Sequence, residues 1–125
     1  MLIEDIATIL DDAGVGVLGT DMFIGSLPTT PNNAIVIVQT TGTEPDSELP
    51  LDNPTFQILI RNTTYTGGQE KLGDVKDALH QFSNQEIGDT YFYYILANTN
   101  GGSIGRDEQD REEFSINFRC SVREV

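Results

Sequence analysis

The order of segments predicts an α+β domain in which a mostly antiparallel sheet of about four strands carries two helices packed on one face. Three observations support that expectation. Two stretches space their apolar residues three and four apart, four stretches are β-branched or alternate between apolar and polar residues, and clusters of Gly, Pro, Asn and Asp separate them. A chain of 125 residues is one domain by size, spanning 1–125. That length buries about two thirds of the unfolded surface around one core.

Each element follows from its own pattern. In "LIEDIATILDDA", Ile3, Ile6, Leu10 and Ala13 share one helical face. "GVGVLG" at 14 to 19 then matches G-x-G-x-x-G, but no strand precedes it and no helix follows it, so the nucleotide-binding context is missing. Gly14 is instead expected in the left-handed position that ends the helix, with Gly16 and Gly19 letting the chain turn toward "MFIG". Asp11, Asp12 and Asp21 surround these glycines, so a phosphate there is expected to meet no basic side chain.

After short extended pieces, "NAIVIVQTTG" reads as a strand and "EPDSELPLDNP" as an exposed loop of eleven residues. "TFQILIRN" puts Phe56, Ile58 and Ile60 on one side and Gln57, Leu59 and Arg61 on the other. "TTYTGG" reads as a turn, and "QEKLGDVKDALHQF" as an amphipathic helix with Leu72, Val75, Leu79 and Phe82 on its apolar stripe. "TYFYYILAN" is a third strand, and "TNGGSIGRDEQDR" a loop. In "EEFSINFRCSVRE", Phe114, Ile116, Phe118, Cys120 and Val122 alternate strictly with Ser115, Asn117, Arg119, Ser121 and Arg123, the pattern of a half-buried antiparallel strand. The opposite face of the sheet is expected to be polar, with Gln57, Arg61, Asn117, Arg119 and Arg123 beside tyrosines.

Catalytic chemistry needs convergent groups, and the inventory is thin. His80 falls on the polar side of the second helix, where a solvated imidazole is the plain reading. Cys120, the single cysteine, falls on the apolar side of the last strand, away from the electropositive setting a nucleophilic thiol needs. The acidic run "RDEQDREE" lacks the oxygen spacing and central glycine of a calcium loop, and its arginines compete for the same carboxylates. Arg61 before "TTYTGG" has no G-K-[ST] loop ending, so a phosphate cradle is not indicated. No enzyme, cofactor or metal is expected. Neither a leader nor a spanning segment is indicated, since "AIVIV" and "YFYYILA" fall far short of the ~20 residues a bilayer requires.

Charge is the informative number. Seven Lys and Arg stand against twenty Asp and Glu, a formal net charge of −13. Such a surface repels DNA and anionic membranes. Residues 1 to 60 hold nine acids and no Lys or Arg, whereas all seven bases lie between Arg61 and Arg123. That asymmetry suits a head-to-tail partnership between copies, and an ordinary solvated surface explains it about as well.

The segments "MFIGSLPTTPNNAIVI", "LDNPTFQILIRNTTYTGGQEKLGDVKDALHQF" and "IGRDEQDREEFSINFRC" together resemble the tail terminator or minor capsid protein family of long-tailed bacteriophages. The similarity runs over nearly the whole chain. Its more specific parts are Asp52 to Gln57, Lys76 to His80, and the Gly105 to Asp107 turn before a strand that reaches Phe118 and Arg119. None is a catalytic motif.

This resemblance implies a non-enzymatic structural virion protein whose subunits close into a ring, a hexamer, on the head-proximal end of the tail tube. The ring stops tube polymerisation and offers the head-tail joining surface. Implied partners are other copies of the chain, the tail tube protein and a head-side neck or connector protein. Genomic DNA would pass through without specific binding, no membrane is involved, and the place is the tail-neck junction of a virion assembled in the host cytoplasm. The candidate tube or subunit contacts are Glu44, Asp46, Glu48, Leu49, Leu51 and Asp52 in the long loop, then Arg61, Tyr65, Arg106, Asp107, Arg119 and Arg123. Two alternatives stand beside this: another neck component, such as a head completion or stopper protein, and a small ligand-binding or enzymatic domain using Arg61, Tyr65 and His80.

Overall fold

A computed structural model describes residues 1–42 and 52–125. The elements run α1 (Leu2–Asp12), β1 (Met22–Ile24), β2 (Ala34–Thr40), β3 (Thr55–Asn62), α2 (Tyr65–Leu79), β4 (Ser83–Ile87), β5 (Thr90–Ala97), β6 (Gly102–Arg106) and β7 (Glu112–Glu124). The α+β class holds, but among the described residues the sheet has seven strands rather than about four, and it is mixed because β1 runs parallel to β2. Its order is β1-β2-β3-β7-β5-β4, with β6 also on β7. The four strands expected from sequence are the central ones. Of the three added strands, β4 and β6 are short and largely exposed, so core packing imposes little alternation on them, and β1 has only three residues in which to show a pattern.

β7 is the spine of the sheet. Glu112–Arg119 pair with β3 on one side. On the other, Phe118–Glu124 pair with β5 and Glu112–Ser115 with β6, so β5 and β6 lie end to end along one long partner. The stretch read as the loop "TNGGSIGRDEQDR" therefore contains a strand. A bulge between Phe92 and Tyr94 turns both Phe92 and Ile95 inward, three residues apart, which is why "TYFYYILA" shows no clean alternation.

Both helices pack on the inner face. From the strands, Ile35, Ile37, Phe56, Ile58, Ile60, Phe92, Ile95 and the inward row of β7 meet Ile3, Ile6 and Leu10 of α1 and Leu72, Val75 and Leu79 of α2. Phe56 and Phe118 stack with ring centroids 5.1 Å apart. Burial of this apolar area is the dominant stabilising contribution.

The first helix ends as expected at Gly14, φ +77. Gly14 N–H donates to Asp11 O (2.9 Å) and Val15 N–H to Leu10 O (2.9 Å), the paired bonds of a Schellman cap. The second helix begins four residues earlier than its stripe suggests. Thr64 caps it, its hydroxyl accepting from Gly67 N–H at 3.1 Å, and "TTYTGG" is largely the first turn rather than a connection. Gly67 and Gly68 both sit where the first turn is crowded, Gly67 against Asn62 and Thr64 at the cap and Gly68 where the helix approaches β7. A Cβ on Gly68 would overlap the ring of Phe114.

The outer face of the sheet is less polar than alternation implies. Val36 points outward yet is buried. It lies in the first strands' half of the face, where the chain between β1 and β2 also encloses Arg61.

Candidate assembly surface

Two arginines anchor that β1–β2 connection. Arg61 stands on β3 opposite Ala34, and Arg111 just precedes β7. Arg61 donates through Nε to Asn32 O (3.2 Å) and through Nη2 to Pro31 O (2.5 Å) and Thr29 O (3.4 Å). Arg111 donates through Nη1 to Thr29 O (2.5 Å) and Asn32 Oδ1 (3.4 Å), and through Nε to Asp107 Oδ2 (2.7 Å). Burial, with the neighbouring Arg111 charge, lowers the pKa of Arg61 from its ordinary value. Arg61 was expected on the open face. It is only 4% exposed and serves as an internal clamp on the backbone carbonyls of Thr29, Pro31 and Asn32.

The turn between β6 and β7 is similarly self-contained. Arg106 pairs with Asp110 (3.0 Å) and Glu112 (2.8 Å). Asp107 accepts from the N–H groups of Gln109 (3.0 Å) and Arg111 (2.9 Å) as well as from the Arg111 guanidinium. Burial pushes the Asp107 carboxyl up, but these hydrogen bonds outweigh it and hold the group below the ordinary carboxylate range. The hydrogen bond from Arg106 to Asp110, with the Glu112 charge, raises the pKa of Arg106. The acidic run is thus a hydrogen-bonded turn. Among the described residues, no three His, Cys, Asp or Glu side chains converge on a metal position.

Arg123 and Arg119 lie toward the other end of β7, on the outer face. Arg123 sits over the Tyr91 ring (4.9 Å to the centroid) and donates to Tyr93 Oη (3.1 Å), and the two tyrosine rings meet edge to face at 4.9 Å. Arg119 is exposed, between Leu96 of β5 and Thr55 of β3. Among the described residues it makes no hydrogen bond or ion pair. Tyr94 is exposed on the same face, while Leu59 and Leu96 are half-buried.

The remaining expected residues scatter. Tyr65 is exposed in the first turn of α2, leaning on Phe114 (5.5 Å) and accepting from Gln69 Nε2 (2.9 Å). Asp52 is exposed, and its backbone continues the β3–β7 register through bonds to Val122 (2.9 and 3.0 Å). It borders a cleft of about 290 Å³ that Leu2, Gln39, Pro54, Val122 and Arg123 help to line. Glu44, Asp46, Glu48, Leu49 and Leu51 lie outside the described residues. Arg61, Tyr65 and His80 do not form a common site. His80 ends α2 half-buried, its Nδ1 accepting from Ala97 N–H at 3.0 Å, so it ties the helix to β5 rather than facing solvent as expected. Cys120 is buried, and burial pushes its thiol up to about 12.

The glycine stretch differs from expectation in one respect. Lys71 Nζ donates to Val15 O at 2.8 Å, so a basic side chain does reach "GVGVLG". Spacing along the chain hides this because Lys71 is 56 residues away. The ammonium is already engaged, as is Lys76, which donates to Asn100 Oδ1 at 3.1 Å. The solvent side of the helices is otherwise acidic, with Glu4, Asp11, Asp12, Glu70, Asp74 and Asp77 all exposed. Asp11 and Asp12 occupy the last turn of α1, which holds no basic residue and where the helix dipole is itself negative.

Sequence reasoning missed one buried polar contact altogether. Thr90 Oγ1 donates to Asp5 Oδ2 at 2.6 Å, joining α1 to the β4–β5 turn. Asp5 lies in the first turn of α1, where an acid is common at a helix N-terminus. The two-residue Gly88-Asp89 connection, with Gly88 at φ +59, is the local signal that reveals both this turn and the missed strand β4.

A family model described as bacteriophage tail terminator protein matches residues 9–124. The chain belongs to the bacteriophage tail terminator family. A chain of the solved virion of a native gene transfer agent particle has the same fold, with a TM-score of 0.67 at 14% identity, over 96% of this chain and 84% of that one. No curated protein matches the sequence. As a tail terminator family member, the protein is a structural component of a phage virion. No helix among the described residues is long and apolar enough to cross a membrane.

Proposed function

We propose that this tail terminator closes with copies of itself into a ring, a hexamer, on the head-proximal end of the tail tube. The ring arrests tube polymerisation and presents the surface to which the filled head docks. Family membership over residues 9–124 carries this reading. A two-layer subunit with an open outer sheet face supports it, because a ring needs one patch that meets a different patch on its neighbour. The partners in this reading are further copies, the tube protein and a head-side connector. The charge of −13 keeps DNA moving past without adhering.

Electron microscopy of particles lacking this protein tests the role. Overlong tails are expected. Normal tails beside unjoined heads would instead assign the chain to another neck function, such as head completion or stopping.

A further inference from the structure

We propose that the outer sheet face around Arg119 is one half of the subunit contact, and that its occupant is the acidic helix layer of a second copy. The inference rests on the ring reading above and names the two surfaces that join. Arg119 is an exposed guanidinium without a hydrogen bond or ion pair among the described residues, with the half-buried Leu96 opposite it on β5 and Thr55 opposite it on β3. Four residues along β7, on the same face, Arg123 is already ordered over Tyr91 and bound to Tyr93. Arginine and tyrosine held in fixed positions next to apolar area are what the centre of a protein contact is made of.

The complementary surface lies on the opposite side of the two-layer fold. Asp74 and Asp77 of α2 border a groove of about 390 Å³ against Ala13, Gly14 and Val15, where α1 ends. Asp11 and Asp12 add their charge at that same helix C-terminus, and no described cation pairs with any of these four carboxylates. Lys71 and Lys76, the cations of α2, are committed to Val15 O and Asn100 Oδ1. Among the described residues the negative groove has no counter-charge and the arginine on the far face has no partner, and the two cannot satisfy each other within one copy. They do so between copies, and the contact is head to tail, the type that generates rings.

Sedimentation of the full chain over a concentration series tests this. Arg119→Glu alone and the pair Asp74→Lys with Asp77→Lys are each expected to raise the concentration for half-assembly about tenfold or more. An equimolar mixture of the two variants is expected to assemble again. Alternating copies then place the introduced glutamate against the introduced lysines, and Arg119 of one variant against the native acids of the other. All three substituted residues are surface residues of the subunit, and unchanged circular dichroism melting is expected to show that the fold survives. Normal rings from the Arg119→Glu chain, or a mixture that fails to recover, would overturn the assignment while leaving the ring reading intact. Rings that form normally but no longer cap tubes would move this face to the tube protein. A wild-type chain that stays monomeric at every concentration, alone and with tubes, would remove both readings.

Discussion

Gly68 of α2 lies against Phe114 of β7 so closely that a Cβ would overlap the ring, while Gly73, five residues on in the same helix, has open space where its Cβ would be. The same residue type therefore does opposite things. At 68 it permits contact between helix and sheet, and at 73 it only adds backbone freedom. Gly68→Ala is expected to destabilise the fold by about 1–3 kcal/mol through overpacking. Gly73→Ala is expected to stabilise it by about 0.5–1 kcal/mol. Urea unfolding of both variants checks the pair, and equal effects would contradict the close approach.

Thr90→Val keeps the side-chain shape but removes the donor to Asp5. The carboxylate is buried, so the loss is expected to fall in the range of about 1.5–3 kcal/mol for a hydrogen bond to a charged group. Chemical denaturation measures it. A loss under about half a kilocalorie per mole would show that water replaces the hydroxyl.

The clamp on the β1–β2 connection predicts a local effect. Arg61→Lys retains charge but lacks the planar fork that serves Thr29, Pro31 and Asn32 together. Hydrogen–deuterium exchange by mass spectrometry is expected to show faster exchange in residues 25–33, with the helices protected as in the wild type. Unchanged exchange there would place the clamp on Arg111 alone.

Asp107 has a folded pKa below its ordinary 3.8, so its contribution to stability is complete above that value and is lost as pH falls through the folded one. Wild-type stability is therefore expected to drop as acid is added below pH 3.8. In Asp107→Asn, which cannot titrate, that part of the slope is absent. Urea midpoints between about pH 5 and pH 2 test this, and parallel curves for the two proteins would reject it.

Cys120, with its thiol pushed up to about 12, is expected to react with a disulfide reagent only on unfolding. Labelling at neutral pH that tracks the unfolded fraction fits this. Rapid labelling of the native protein would mean that the β3–β7 region opens.

The central strands and both helices were legible because their periodicity reports burial directly. Phe114 to Val122 alternates since one face of β7 is core and the other is not. The edges were harder to read. β4 and β6 are mostly exposed, and pairing with a neighbour, not burial of their own side chains, holds them extended. Of the candidate contacts, Arg119 and Tyr65 stand at the surface as alternation and turn position suggested. Arg61 does not, because the chain between β1 and β2 folds over it, and that return path leaves no trace around residue 61.

What the sequence determined by itself is the fold class, the acidic surface, the Gly14 cap and the tail terminator resemblance that the family match upholds. These depend on local spacing, on summed charge or on the order of segments. Only the tertiary structure decided which cations are free. Arg61, Arg111, Lys71 and Lys76 spend their donors on carbonyls or side chains far away along the chain, or on a turn of their own, whereas Arg119 makes no such bond among the described residues. The physical reason is that a charge becomes structural or available according to what packs across from it, and for these cations that neighbour lies up to 82 residues away.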